Sequence, residues 1–296
     1  MSQISAADVK RLRESTGAGM MDCKKVLTET GGDFDAAVDL LRKKGLAAAA
    51  KKAGRVAAEG MVVAIAKDGA GVVLEVNSET DFVSKNEKFQ AYVNELAEFI
   101  LANKPADVDA LNAAVFKDGL TVAESLSQLI ATIGENMSIR RFHVTEANVV
   151  SGYVHGTGKI GVLIGINGEN NDAMNELARG IAMHVAAVNP QFVRRSEVSE
   201  DAVAREKAVL TDRAAASGKP ANIIEKIVDG QMAKFYSEVC LLEQGFVLDN
   251  DLTVGKALAK VQADAELTDM VRFQLGEGIE KEEVDFAAEV AAQVKG

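Results

Sequence analysis

The stretches MVVAIAKDGAGVVLEVN, residues 61–77, and GYVHGTGKIGVLIGIN, residues 152–167, decide the fold of this chain. Each contains two runs rich in valine and isoleucine that are separated by a glycine turn, which is typical of a β-hairpin. Each is followed by a helical pattern that ends at a proline, Pro105 in the first case and Pro190 in the second. The chain therefore contains an internal repeat.

The two helical patterns align with a constant offset of 85 residues, the distance from Pro105 to Pro190. Their matching apolar positions are Phe89, Tyr92, Leu96 and Ile100 in the first helix and Met174, Leu177, Ile181 and Val185 in the second. Each copy then continues with a Leu-Thr-Val helix start and an Arg-Phe strand. We expect an α+β fold whose core consists of two repeated α/β subdomains with small antiparallel sheets.

Residues 191–238 interrupt the second copy and have no counterpart in the first. Two long helical patterns there flank Ser217-Gly218-Lys219-Pro220, a helix stop followed by a proline that starts the next helix. This arrangement predicts an inserted antiparallel helical hairpin.

The first 55 residues are punctuated as three short helices. Ser5 opens the first, Asp22 and Asp33 cap the next two, and Gly45 is expected to end the third. Residues 46–55 are rich in alanine and lysine and have little to bury, so we expect a tether and a domain boundary there.

The predicted organisation has five parts. They are a three-helix head with its tether at 1–55, a first core subdomain at 56–147, a second core subdomain at 148–190 and 239–280, the inserted hairpin at 191–238 and a C-terminal helical module at 281–296.

Composition favours a folded cytoplasmic protein. Of the 296 residues, 48% are hydrophobic and 26% are charged, and the chain shows neither a signal sequence nor an apolar run long enough for a membrane span. Two well-separated cysteines fit a reducing compartment. A net charge of −11 argues against nucleic-acid binding, although residues 1–55 carry 11 basic and 7 acidic residues.

The sequence contains no catalytic or nucleotide-binding motif whose surroundings fit the structure that the motif requires. Gly156-Thr157-Gly158-Lys159-Ile160-Gly161 matches the dinucleotide fingerprint, but a β run follows where that fingerprint opens a helix. The acid pairs Glu75 with Glu79 and Glu282 with Glu283 are interpreted as solvated charges. An enzyme is therefore poorly supported.

The three histidines differ in their sequence surroundings. His184 aligns with Phe99 on an inward helix face, which predicts a packed core histidine. His143 lies within a strand and is expected at the surface or at a sheet edge. His155 is held at a turn by Gly156, where partner contact and idle exposure are equally compatible with the spacing.

Two apolar pairs lie in loops where a core residue is not expected. Phe82 and Val83 fall within the polar stretch 77–86, where Phe82 can either pack the following helix onto the sheet or enter a partner's pocket. Met20 and Met21 lie in a glycine loop of the head, and methionine suits an adaptable binding surface.

Several motifs, taken in order along the chain, resemble those of the bacterial elongation factor Ts family. They are TGAGMMDCKK at 16–25, Thr80-Asp81-Phe82-Val83, Ile133-Gly134-Glu135-Asn136 before Arg140-Arg141, His155-Gly156 and GEGIEK at 276–281. The resemblance covers essentially the whole chain. It implies a ubiquitin-associated-like (UBA-like) helical head, a two-part core, a coiled-coil hairpin and a C-terminal helical module.

The resemblance implies a function in protein biosynthesis as a guanine nucleotide exchange factor, not an enzyme. Such a factor binds elongation factor Tu, GDP-bound and nucleotide-free, and accelerates GDP release. It binds no nucleotide, nucleic acid or membrane itself and uses no cofactor or metal. Whether the hairpin forms a dimer stays open. The competing classes are a nucleotide-dependent enzyme, which would bind GDP directly, and a ubiquitin-associated-like adaptor, whose head alone would be active.

The resemblance also implies roles for individual residues. Thr80, Asp81, Phe82 and Val83 would form the loop that dislocates the partner's Mg²⁺, with Phe82 as a wedge and Asp81 disturbing the polar network around the metal. The residues expected to contact the nucleotide domain of the partner are Leu12, Met20, Met21, Lys24 and Phe286. His155 and Gly156 would contact a different part of the partner.

Overall fold

A computed structural model describes residues 4–16 and 18–280 of the chain. It shows mixed helices and small antiparallel sheets, so the predicted α+β class is confirmed. Phe286 and the predicted C-terminal module at 281–296 lie outside the described residues. Within them, no helix has both the length and the apolar character that crossing a bilayer requires.

The helices are α1 (Ala6–Thr16), α2 (Met20–Glu29), α3 (Phe34–Lys52), α4 (Asp81–Ser84), α5 (Glu87–Asn103), α6 (Val108–Ala113), α7 (Val122–Ile133), α8 (Asp172–Val188), α9 (Glu200–Ala215), α10 (Ala221–Val239) and α11 (Val254–Val261). The strands are β1 (Glu59–Lys67), β2 (Ala70–Ser78), β3 (Val115–Lys117), β4 (Leu120–Thr121), β5 (Met137–Glu146), β6 (Val149–His155), β7 (Ile160–Asn167), β8 (Gly245–Phe246), β9 (Asp249–Thr253) and β10 (Glu266–Gln274).

Two three-stranded antiparallel sheets are built on the same plan. In the first sheet the order is β1-β2-β5, and in the second it is β6-β7-β10, so each hairpin is joined by a strand that arrives later in the chain. Helices α5 and α7 pack on the first sheet, and α8 and α11 pack on the second. Each half also holds a two-stranded hairpin, β3-β4 or β8-β9, which the sequence patterns did not predict.

The two sheets face each other across a shared apolar layer. Val62 and Val73 of the first sheet and Leu163 and Phe273 of the second form this buried cluster. Glycine is required here, because a Cβ at Gly161 would lie 2.5 Å from Val62 Cγ1. The helices therefore cover the outer faces while glycine lets the inner faces approach closely.

Equivalent helix caps repeat in both halves. Asn86 accepts hydrogen bonds from the first-turn amides of α5, and Asn171 accepts one at the start of α8. At the other ends, Lys104 and Asn189 adopt left-handed φ values of 46° and 54°, each directly before a proline. The sequence offset is therefore reproduced down to the residues that start and stop the helices.

The head joins the first half through one continuous helix, which corrects two expectations. Gly45 does not end α3, because the helix runs from Phe34 to Lys52 and a Cβ at Gly45 would lie 3.6 Å from Ala131 Cβ of α7. Ala49, in the segment expected to be a loose tether, is buried in the core of the first half. Arg42 forms an ion pair with Glu124 of α7. The head is thus packed on the body.

The starts of all three head helices can be compared with the predictions. Ser5 and Asp8 exchange hydrogen bonds at the start of α1, and the Asp33 side chain caps α3, as expected. Helix α2 instead begins at Met20, with Gly19 as its N-cap and Asp22 inside the first turn. The prediction that Asp22 caps this helix is therefore wrong by three residues.

The insertion folds as two helices joined by a short loop. Helices α9 and α10 pack through a small core of Leu210, Ala214, Val228 and Met232. At the base, a backbone hydrogen bond from Phe192 to Val239 ties the insertion to the second half.

Glu75 was interpreted as a solvated acid, and this is wrong. Its side chain is fully buried and accepts hydrogen bonds from Arg141 Nε at 2.7 Å, Arg140 Nη1 at 3.0 Å, Asn77 Nδ2 at 3.1 Å and the Gly276 amide at 2.8 Å. Burial raises the pKa of this carboxyl, but the four donors outweigh burial and hold the pKa below its usual value. Glu75 therefore ties the first sheet to the chain that leaves the second.

Candidate protein-binding site

The turn after β2 presents one aromatic side chain to solvent. In the four-residue helix α4, Phe82 is 77% exposed whereas its neighbour Val83 is 3% exposed and belongs to the core of the first half. Val83 thus anchors the turn. The alternative that Phe82 packs the next helix onto the sheet is wrong.

The backbone of this turn is held from the opposite side by Glu135. One carboxylate oxygen accepts the Thr80 amide at 2.9 Å and the other accepts the Thr80 hydroxyl at 2.7 Å. Ser78 Oγ donates to the Thr80 carbonyl at 3.0 Å, and Glu79 accepts the amide of Asn136. Hydrogen bonds therefore connect the turn after β2 to the loop after α7, and they hold the backbone that carries the exposed ring of Phe82.

Asp81 lies beside the ring and is exposed. Its carboxylate pairs with Lys85 Nζ at 3.1 Å, one helical turn away. The same Nζ lies 5.8 Å from the centroid of the Phe82 ring. An acidic group, a basic group and an aromatic face are thus presented together on one turn of helix.

The head loop presents a second apolar surface. Met20 and Met21 are 57% and 74% exposed, and Lys24 is exposed one turn further along α2. Leu12 is fully buried, however, in the head core beside Val26. The expectation that Leu12 contacts a partner is wrong for this structure, because the side chain stabilises the three-helix head and offers no free surface.

The head loop and the start of α5 border one recess. Its lining includes Met20 and Arg13 from the head and Lys88 from the first turn of α5, which follows the Phe82 turn directly. Thr132, near the end of α7, completes the wall. The fold therefore brings the head loop against Lys88 at the start of α5, six residues after Phe82 in the chain.

His155 and Gly156 occupy a different place in the molecule. His155 ends β6, an edge strand of the second sheet, and is exposed, with Nδ1 lying 3.1 Å from the Tyr153 hydroxyl. Gly156 follows with a φ of +61°, a left-handed value that favours glycine. The turn therefore presents the imidazole outward, apart from the Phe82 turn.

His184 is a packed core histidine, as predicted. Its Nε2–H donates to Gln244 Oε1 at 2.9 Å while Nδ1 accepts the Val247 amide at 3.3 Å, so the neutral ring has both nitrogens satisfied. Burial lowers the pKa of this histidine.

His143 lies on β5, an edge strand of the first sheet, as expected. Its Nε2 lies 2.8 Å from Asp269 Oδ2 on β10, which also accepts the Thr145 hydroxyl. The hydrogen bond to Asp269 raises the pKa of His143. This pair links the edges of the two sheets.

Sequence reasoning did not assign a role to Glu135. The residue was quoted only as part of a motif, 55 positions after Thr80, and neither its charge nor its neighbours indicated a clamp. A half-buried acid that accepts two donors from one residue can be recognised only once the fold brings the two loops together.

An exposed aromatic on an anchored turn and two exposed methionines at the start of α2 are typical of a protein that binds other proteins. The family model described as "Elongation factor TS" matches residues 79–277, which include the Phe82 turn and Glu135. The chain belongs to the elongation factor Ts family.

Relatives named "Elongation factor Ts" match along the full chain. The protein from Rhodospirillum rubrum is 54% identical, with 100% of each chain covered. That from Paramagnetospirillum magneticum is 55% identical over 99% of this chain and 98% of the relative, and that from Syntrophotalea carbinolica is 50% identical over 99% and 100%. These matches include the head that precedes the family model.

Proposed function

We propose that this protein is a guanine nucleotide exchange factor that binds elongation factor Tu carrying GDP and accelerates GDP release. Membership of the elongation factor Ts family supports the partner. The observation that carries the proposal is the ring of Phe82, 77% exposed on a turn whose backbone Glu135 holds. An aromatic side chain kept out of its own core is available to enter the core of another protein.

GDP is held in a GTPase mainly through its phosphates and the Mg²⁺ that bridges them. A wedge that shifts the elements carrying the metal's water and carboxylate shell weakens this hold. Phe82 would supply the wedge, and Asp81, exposed beside it, would disturb the polar network around the metal. The metal belongs to the partner, and this chain acts on its surroundings.

Exchange then follows from thermodynamic linkage. If the factor binds the nucleotide-free partner more tightly than the GDP-bound partner, GDP and the factor weaken each other's binding by the same factor. Contacts that form fully only after release therefore drive the exchange. The factor needs no nucleotide site of its own.

The remaining surfaces would orient the wedge. The head would contact the nucleotide domain through Met20, Met21 and Lys24, all exposed on α2. His155 and Gly156, on the second half, would contact another part of the partner and favour rearrangement of its phosphate-binding loop. Two contact regions on the two halves would grip the partner at separate points.

The proposed architecture keeps the predicted division. A ubiquitin-associated-like head at 1–55 would bind the partner, subdomains at 56–147 and at 148–190 with 239–280 would form the core, and 191–238 would form a coiled-coil hairpin. The module at 281–296 would add a further contact. We infer a cytoplasmic protein that acts without a cofactor and binds no nucleic acid or membrane.

Stopped-flow release of fluorescent GDP from elongation factor Tu tests the proposal. We expect wild type to accelerate release strongly and the double variant Asp81→Ala/Phe82→Ala to accelerate it weakly while remaining folded by circular dichroism. Equal acceleration by both would move the mechanism away from the turn. No acceleration by wild type would overturn the function itself.

A further inference from the structure

We propose that Glu135 is a positioning residue that orients Phe82 for nucleotide release, an inference that rests on the proposed exchange function. Glu135 does not itself reach the exposed end of the turn. It acts through Thr80, the residue that starts α4, and so determines how the ring is presented.

The contact between Glu135 and Thr80 has two points. Oε2 accepts the backbone amide and Oε1 accepts the side-chain hydroxyl, at 2.9 Å and 2.7 Å. Hydrogen bonds to an ionised acceptor are stronger than neutral ones, and a bidentate contact also restricts rotation. One carboxylate therefore restrains both the position and the orientation of the residue from which α4 begins.

Thr80 gives up its usual local role to make this contact. It is the N-cap of α4, a position where a threonine hydroxyl ordinarily accepts a first-turn amide, yet no such side-chain bond forms. Its hydroxyl donates to Glu135 instead. The direction of α4 is therefore set by a residue 55 positions away in the chain, and not by the turn alone.

The other side of the contact is itself fixed. Glu135 follows the C-cap of α7, where Gly134 has a φ of +94°, and precedes the buried Asn136. Asn136 donates its amide to Glu79 and its Nδ2 to the Arg55 carbonyl, the latter at 2.8 Å. Because Glu135 lies between Gly134 and the hydrogen-bonded Asn136, its carboxylate is held in place relative to α7 and can fix the position of the turn.

The ring has no comparable anchor of its own. Phe82 is 77% exposed, and within its short helix the buried side chain is Val83. Without Glu135, the Ser78 bond to the Thr80 carbonyl and the Val83 contact hold α4 less firmly, and the ring then spends less time in the competent orientation. The apparent activity of a site falls with the fraction of molecules in its competent state.

The test compares Glu135→Ala with a matched control in stopped-flow GDP release from elongation factor Tu, measured across factor concentrations. The control is Glu197→Ala, because Glu197 also accepts a loop amide, that of Val193 at 2.7 Å, but in the second half. Glu135→Gln, which keeps the shape and one acceptor oxygen, serves if the alanine variant folds poorly.

We expect Glu135→Ala to lower the maximal release rate about tenfold, the loss typical of a charge-assisted hydrogen bond, with a smaller change in the half-saturating concentration. Glu135→Gln should fall between this variant and wild type, and the control Glu197→Ala should stay within about twofold of wild type. A change confined to the half-saturating concentration, or an equal loss in Glu197→Ala, would overturn the positioning role.

A double-variant cycle separates positioning from general destabilisation. If Glu135 acts through the ring, Glu135→Ala should cause no further loss in a chain that already carries Phe82→Ala. Losses that multiply would show that Glu135 acts independently of Phe82 and would overturn the proposal. If Glu135→Ala releases GDP as fast as wild type while Phe82→Ala is slow, the positioning role of Glu135 is overturned and the exchange function stands. If wild type itself does not accelerate release, the proposed function is overturned.

Discussion

The two halves share one plan but differ in the connection from hairpin to helix. In the first half, residues 79–86 lie between β2 and α5, whereas residues 168–171 alone lie between β7 and α8. The extra residues of the first half contain α4 and its exposed ring. A repeated scaffold can therefore acquire a binding feature in one copy while its helix caps and sheet order stay unchanged in both.

The sheets also differ at a buried position. Glu75 pairs with Arg141 in the first sheet, and the position paired with the matching Arg272 in the second sheet is Val162. Glu75 is fully buried among four donors, whereas Val162 is buried in the apolar core of the second half. The first half thus has a buried polar junction at this position, and the second half has apolar packing.

Glu75→Val gives the first sheet the residue of the second and should have the largest effect. The variant leaves the Gly276 amide and two arginines without their acceptor, so we expect a loss of about 3–5 kcal/mol in the free energy of unfolding. Urea denaturation followed by circular dichroism measures it. The control Glu146→Gln, in an exposed pair with Lys104, should cost under about 1 kcal/mol. Equal losses of stability in Glu75→Val and Glu146→Gln would mean that the buried junction does not distinguish the first half from the second.

Phe82→Ala should lower GDP release from elongation factor Tu by about 30-fold or more, because aromatic residues that enter a partner's pocket dominate binding energy. Its thermal stability should stay close to wild type, since the ring is largely exposed. Leu248→Ala, at a position 59% exposed in the second half, is the matched control. A similar loss of exchange activity in Leu248→Ala would show that the exposed ring of the first half has no special role in exchange.

Asn86→Ala and Asn171→Ala test what the halves have in common. Each removes the N-cap of an equivalent helix, and we expect each to cost about 1 kcal/mol in thermal or urea unfolding. Exchange should suffer more in Asn86→Ala, which lies next to the Phe82 turn. Unequal costs in stability, or equal losses in exchange, would show that the shared plan does not extend to the energetics.

The two buried or half-buried histidines should respond to pH with opposite sign. His143, whose pKa is raised by Asp269, stabilises the fold below about pH 6.5, the usual pKa of histidine, and loses this contribution as pH rises through its raised pKa. His184, whose pKa is lowered by burial, contributes above about pH 6.5 and loses its contribution as pH falls towards the lowered pKa.

NMR titration of the ring protons should therefore place the pKa of His143 above that of His184. His143→Gln should be less stable than wild type at pH 6 by under about 1 kcal/mol, because the pair is partly exposed. This difference should shrink as pH rises past the pKa of His143. A difference that grows with pH would contradict the assigned sign.

The repeated hairpin-and-helix arrangement could be predicted from the sequence because each of its sequence patterns spans only a few neighbouring residues. Valine and isoleucine runs around Asp68-Gly69 define a hairpin within a few residues, and the 3.6-residue period from Phe89 to Ile100 defines a helix face. The same locality explains the correct assignment of His184, which occupies an inward position of a matched helix.

The errors at Glu75 and Gly45 concern contacts between distant parts of the chain. Glu75 reads as a solvated acid until Arg140 and Arg141, 65 and 66 positions later, are brought beside it. Gly45 was expected to stop a helix, but it lies inside α3 and faces Ala131 of α7. The orientation of Phe82 relative to Val83 was likewise open, because either apolar residue of the pair can anchor a short turn.

The continuity of α3 affects how strongly the two proposed contact surfaces, the head and the Phe82 turn, can bind a partner together. A flexible tether would make the head and the Phe82 turn two modules linked by a range of lengths. One helix of 19 residues, packed through Gly45 and Ala49, instead holds the two proposed contact surfaces in a fixed relative position. For a partner that accepts both surfaces, the second contact then forms at a high effective concentration without the entropy loss of ordering a linker.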